Sequence, residues 1–153
     1  MEISYHIDEL DKIAKVILKQ LNSKIVLLHG NMGVGKTTLI KSMVKALGSI
    51  DDVSSPTFSL VNEYKSDYFT IYHFDLYRIN DEVEILNFGF EDYLLNTDNN
   101  WMFIEWPELA KNLLPKEVSS ITIEQHNQTS RTLKLSQNEL LTQKNAMEHY
   151  KNA

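Results

Sequence analysis

The chain has no cysteine, which excludes both disulfides and thiolate metal centres. It has only two arginines, Arg78 and Arg131. No apolar run approaches the roughly 18 residues that span a bilayer. The opening MEISYHIDEL is not a basic segment followed by an apolar core, so neither a leader nor a membrane association is expected, and a cytoplasmic location is. Internal repeats and low-complexity tracts are also missing. Glycine is scarce, with five residues, and three of them, Gly30, Gly33 and Gly35, share one short stretch.

What is present suits one α/β domain with a genuine core: 153 residues, 42% of them hydrophobic and 24% charged. The net charge of −6 is unevenly spread. Residues 1–50 carry seven bases and four acids, residues 51–110 two and thirteen, and residues 111–153 six and four. So acidic a middle segment repels a phosphate backbone, so any dealing with RNA is expected to be indirect.

The central stretch is IVLLHGNMGVGKTTLIKSMVKALG, residues 25–48. A buried strand over Ile25–His29 runs into a G-x-x-x-x-G-K-T loop, and apolar residues at helical spacing follow at Leu39, Ile40, Met43, Val44 and Leu47. Strand, glycine loop and helix in that order make a phosphate-binding loop, whose backbone N–H groups wrap phosphate oxygens at the positive end of the helix. Lys36 supplies charge for the β and γ phosphates, and Thr37 offers a hydroxyl to Mg²⁺. The N-K-x-D element that reads guanine does not occur, which favours adenine.

Around this centre, a strand is expected over residues 2–7, then a helix capped by Asp8, and Gly48 should stop the second helix. Pro56 keeps Ser55 extended, in a stretch with hydroxyls at Ser54, Ser55, Thr57 and Ser59 that reads first as a plain Ser-Pro turn and second as the place of a γ-phosphate sensor. Residues 58–64 and 69–74 read as an antiparallel hairpin, and residues 81–96 as short helices broken near Gly89 with Asp81 as cap. Two apolar strands end in a carboxylate, at Asp75 and at Glu105, both placed to face a ligand crevice; the pattern does not order them as metal anchors. His73 reads as a hydrogen-bonded structural histidine before a catalytic one, Arg78 as a salt-bridge partner of a nearby acid before an arginine that stabilises phosphate charge, and Trp106 as a cap on the core before a stacking surface for a partner. Residues 118–124 and 132–135 read as an antiparallel pair, and Ser136-Gln137-Asn138-Glu139 as a capping box before a weak helix. The whole chain, 1–153, is expected to be one domain with its core over about residues 2–136 and a helical or frayed tail over 137–153.

The succession G-x-x-G-x-G-K-T-T, S-P-T-F-x-L-V, H-F-D-L-Y-R and I-E-W-P-E resembles the TsaE (YjeE) family, P-loop ATPases required to form threonylcarbamoyladenosine beside the tRNA anticodon. The resemblance runs from the first helix to about Arg131. It implies a three-layer P-loop NTPase fold with a mixed, mostly parallel sheet flanked by helices. It implies ATP or ADP and Mg²⁺ as ligands, with Thr37 and Glu105 on the metal and Gly33, Val34, Gly35, Lys36, Thr37 and Thr38 around the phosphates. Asp75 would lie by the γ-phosphate and its water, Ser55-Pro56-Thr57 would form a switch-like loop, and Lys36, Asp75 and Glu105 would carry the catalysis. Glu108, Arg131 and Glu9 align with positions that contact nucleotide. The partners implied are TsaD and TsaB, whose complex would be reset by ATP hydrolysis between rounds of tRNA modification. Asn31 departs from the pattern, standing where the family often has Asp, and the tail after Leu135 matches no motif. The alternative is a small-molecule kinase of P-loop type, which would need a mobile lid bearing several arginines; this chain has two in all.

Overall fold

Apolar alternation in the strands sets the layers. In the computed structural model, which describes residues 1–56 and 60–137, strand β2 (Ile25–His29) sends Val26 and Leu28 to one face and Ile25 and Leu27 to the other. A strand that buries both faces must lie inside the sheet, with helices above and below. On the first face, helices α1 (Leu10–Gln20) and α2 (Lys36–Ala46) contribute Ile13, Ala14, Ile17, Leu39, Ile40, Met43 and Val44. On the second, α3 (Glu82–Asn87) and α4 (Phe90–Leu94) pack Ile85 and Phe90 against sheet residues Phe74, Met102 and Ile104.

The remaining strands are β1 (Glu2–His6), β3 (Val61–Lys65), β4 (Thr70–Asp75), β5 (Trp101–Glu105), β6 (Ser119–Gln125) and β7 (Ser130–Gln137). The sheet order is β1-β7-β6-β2-β5-β4-β3. Four strands, β6, β2, β5 and β4, run parallel at the centre, and antiparallel β3 closes one edge and β7 with β1 the other. This is the expected three-layer α/β architecture. Parallel register brings the carboxyl ends of β2, β4 and β5 to one edge, with Asp75 directly opposite Glu105, and ligands of open α/β sheets bind at that edge.

Two local expectations change. Asp8 does not cap α1: a 3-10 turn over Ile7–Glu9 intervenes, and His6 is its cap, Nδ1 accepting from the Asp8 amide at 3.2 Å. Ser136 and Gln137 do not open a helix; they extend β7, paired with Ser120 and Ser119. Gln137 instead seals the end of α1, its Nε2 donating to the Gln20 carbonyl at 2.7 Å while its Oε1 accepts from the Asn22 amide. The helix expected beyond it lies outside the described residues. Asp81 and Gly48 do act as foreseen, Asp81 accepting from the Glu84 amide at 3.0 Å and Gly48 taking φ +96 after α2.

Candidate functional site

The loop between β2 and α2 is bent by glycine. Gly30 has φ +144 and Gly35, at the first turn of α2, φ +114; side chains rarely adopt either. Val34 turns its side chain into the core, its N–H donating to the Asn31 carbonyl at 3.1 Å. Beside the loop opens a cleft of about 590 Å³ lined by Gly33, Gly35, Lys36, Thr37, Thr38, Ser55, Pro56, Asp75, Tyr77, Arg78, Glu105 and Trp106, among others. A cleft of this size is large enough for a nucleotide-sized ligand.

Thr37 is the meeting point. Its hydroxyl donates to both Glu105 oxygens at 2.9 Å and lies 3.0 Å from the Ser55 hydroxyl. Glu105 is almost fully buried, at 3% exposure, and its Oε2 is 2.6 Å from Nε2 of buried His73. Asp75, opposite it across the β4–β5 ladder, turns Oδ1 back to accept from the Tyr77 amide at 3.0 Å. Burial pushes the Asp75 carboxyl above its usual range, and the Glu105 charge adds to the rise.

Lys36 is 5% exposed. Its ammonium donates to the Gly30 carbonyl at 2.6 Å and sits 3.5 Å from the Trp106 ring centroid. Burial lowers its pKa from the ordinary lysine value, while Glu105, Asp75 and Glu108 pull it back up. Trp106 reaches this position because its backbone is left-handed, φ 55 and ψ 58, a conformation that costs a bulky residue about 1–3 kcal/mol. Its ring also meets Tyr77, centroid to centroid 5.0 Å. Trp106 is therefore a wall of the cleft rather than a cap on the core. No local pattern in the sequence signals a left-handed tryptophan.

Other expected residues stand apart from the cleft. Arg131, on β7, lies behind the loop, where its Nε donates to the Val34 carbonyl at 3.0 Å. Glu108 is exposed in the 3-10 segment Pro107–Leu113, with Oε1 3.8 Å from Nδ1 of His29. Glu9 accepts from the His6 amide at 3.0 Å and completes the cap of the turn before α1. Thr57 lies outside the described residues. Arg78, expected in a surface ion pair, lines the cleft, and no salt bridge to it is found among the described residues.

The donors suit a hard cation. Thr37 and Glu105 offer oxygen only, and among the described residues no three His, Asp or Glu side chains form a cage. Mg²⁺ is held in this way, by one or two protein oxygens with phosphates and water completing the octahedron.

The family model described as "Threonylcarbamoyl adenosine biosynthesis protein TsaE" matches residues 5–133. Three proteins named "tRNA threonylcarbamoyladenosine biosynthesis protein TsaE" are similar to the chain. That of Rickettsia felis is 40% identical over 119 residues, 76% of this chain and 68% of that protein. That of Haemophilus influenzae is 39% identical over 118 residues, 76% and 73% of the two chains. That of Bacillus subtilis is 34% identical over 109 residues, 71% and 66%. The crystal structure of Bacillus subtilis YdiB has the same fold, with a TM-score of 0.66 over 99% of this chain and 96% of that one at 23% identity. With a match that begins in β1 and ends in β7, and with relatives at these identities, the chain belongs to the TsaE family.

Proposed function

We propose that this chain is a cytoplasmic, Mg²⁺-dependent ATPase of tRNA threonylcarbamoyladenosine biosynthesis, which resets a TsaD–TsaB complex between rounds and meets tRNA only through it. The observation that carries this reading is the pair of 2.9 Å bonds from Thr37 to Glu105 at the head of a phosphate loop, in a chain of this family. The acidic middle segment agrees with a protein that serves an RNA-modifying machine without gripping RNA.

Lys36 and the loop amides hold the β and γ phosphates and neutralise the charge that spreads over the transferring group. Thr37 and Glu105 would hold Mg²⁺, which would supply the remaining neutralisation on the phosphate oxygens. Asp75 orients the attacking water; with its pKa raised by burial, it is a stronger proton acceptor than an ordinary aspartate. The water oxygen bonds to the γ phosphorus as the bond to the β–γ bridging oxygen breaks, and ADP and phosphate leave. Arg78 lines the cleft but remains exposed, and the Trp106 ring covers the Lys36 ammonium. Both features favour slow hydrolysis until a partner docks and reorders the rim.

The test is phosphate release by the wild type, Lys36→Ala and Glu105→Ala proteins, each with and without the TsaD–TsaB complex. The wild type should turn over slowly alone and faster with the complex. Lys36→Ala should lose nucleotide binding, and Glu105→Ala should lose its response to Mg²⁺. Equal rates with and without the complex would refute the regulatory part. Phosphorylation of an added nucleoside or sugar would replace the ATPase with a kinase.

A further inference from the structure

The cleft does not account for two buried polar side chains behind it. His73 is wholly buried and Tyr64 is 3% exposed, and neither lines the cleft. Every polar side-chain atom they carry is nonetheless engaged. A carboxylate only accepts, so the His73 Nε2–H donates to Glu105 Oε2, at 2.6 Å. On the other side of the ring, Nδ1 is 3.0 Å from the Tyr64 hydroxyl. That hydroxyl is in turn 3.1 Å from the Ser54 carbonyl, which also accepts from Asn62 Nδ2 at 2.9 Å.

Ser54 precedes Ser55, whose hydroxyl lies 3.0 Å from that of Thr37, and Thr37 donates to Glu105. The bonds thus close a ring: Thr37, Glu105, His73, Tyr64, Ser54, Ser55 and back to Thr37. Two other residues of β4, Ile71 on the same side of the strand and Phe74 next in the chain, are apolar and fully buried. A leucine or phenylalanine at position 73 would fill the space without the cost of burying a histidine against a carboxylate. What an apolar residue could not do is fix the direction of the Glu105 oxygens, which outer hydrogen-bond partners do for carboxylates on metals.

We propose that His73 is a positioning residue for the metal-binding carboxylate, and that Tyr64 extends its hold to the segment Ser54–Pro56. The inference rests on the assignment of Glu105 to Mg²⁺ made above. His73 keeps the Glu105 oxygens aimed at the head of the phosphate loop when Thr37 turns away from them. Tyr64 makes the placement of that carboxylate depend on the placement of Ser54, and so couples the metal position to the hydroxyl-bearing loop.

The test is calorimetric titration of ADP, which is not hydrolysed, in excess Mg²⁺ and in EDTA; the readout is the ratio of the two affinities. His73→Leu should shrink the gain in affinity due to Mg²⁺ by about 10–100-fold. His73→Gln, whose amide N–H reaches the place of Nε2, should recover most of it. Tyr64→Phe, one bond further out, should shrink it by about 2–10-fold, the loss of one ordinary hydrogen bond. If His73→Leu folds and keeps the wild-type ratio, or weakens ADP equally in both media, the positioning role is refuted. A His73→Gln protein with the Mg²⁺ response abolished also refutes it, and this variant decides the matter should His73→Leu fail to fold. An unchanged ratio in Tyr64→Phe refutes the tie to Ser54–Pro56. Wild-type protein that binds ADP in neither medium refutes the nucleotide reading itself, a result separate from all of these.

Discussion

Gly30 and Gly35 stand in the same loop, yet alanine at the two positions should do different damage. A Cβ on Gly30 would lie 2.8 Å from the Ile123 carbonyl oxygen and 2.8 Å from Val34 Cγ1. Ile123 is held in β6 between β2 and β7, so its carbonyl cannot retreat without loosening the ladder. The φ of +144 adds backbone strain of about 1–3 kcal/mol, and the forced contact adds about 1–3 kcal/mol more. Gly35 carries strain alone, since nothing lies within 4 Å of its ideal Cβ. With about 2–4 °C of melting temperature per kcal/mol in a chain of this size, Gly30→Ala, at about 4 kcal/mol from the middle of the two ranges, should lower Tm by roughly 8–16 °C. Gly35→Ala should lower it by roughly 4–8 °C. Nucleotide affinity should rank the other way. Gly35 lines the cleft and Gly30 does not, so a methyl group at position 35 takes space that a phosphate needs and should cost tenfold or more in affinity, about 1.4 kcal/mol or above. Thermal melts paired with ADP calorimetry decide the matter. A Gly30→Ala protein as stable as the wild type, or a Gly35→Ala protein that binds ADP normally, would refute the reasoning.

Asp75 links stability to pH. Its folded pKa is raised by burial, so the native state favours the protonated form, and stability falls as pH climbs from the unfolded value through the folded one. Asp75→Asn, which keeps an oxygen for the Tyr77 amide, should therefore melt higher than the wild type at pH 7. The difference should vanish below the unfolded carboxyl pKa; a pH series of melts that shows no such convergence refutes the assignment. Arg131→Met removes the 3.0 Å bond from Nε to the Val34 carbonyl together with those from Nη1 to the Asn127 and Ser130 carbonyls. For a partly exposed charge the cost is about 1 kcal/mol after solvent screening, or roughly 2–4 °C in Tm. Nucleotide binding should weaken with it, because the loop loses a brace; unchanged melting and unchanged affinity together would show that the contact carries nothing.

The parts of this molecule that local pattern revealed are those that neighbours in the chain decide. The β2–loop–α2 unit, the hairpin of β3 and β4, the break at Gly89 and the Asp81 cap all follow from periodicity, glycine and short polar side chains. The misplaced start of α1 has an equally local cause: the cap is a histidine, a residue type outside the usual set, and it serves a 3-10 turn rather than the helix itself. Trp106 was misjudged because a left-handed backbone at a tryptophan has no sequence signature. The two strand-end carboxylates show most sharply where pattern stops. Asp75 and Glu105 close parallel neighbouring strands at the same register, so periodicity treats them alike. Their difference arises in three dimensions, where Glu105 has His73 behind it and Thr37 before it, while Asp75 spends one oxygen on its own turn at Tyr77. A carboxylate held from behind by a buried side chain keeps its direction when a ligand arrives, whereas one tied only to its own turn can swing. That asymmetry favours Glu105 for holding a metal in place and Asp75 for following a water.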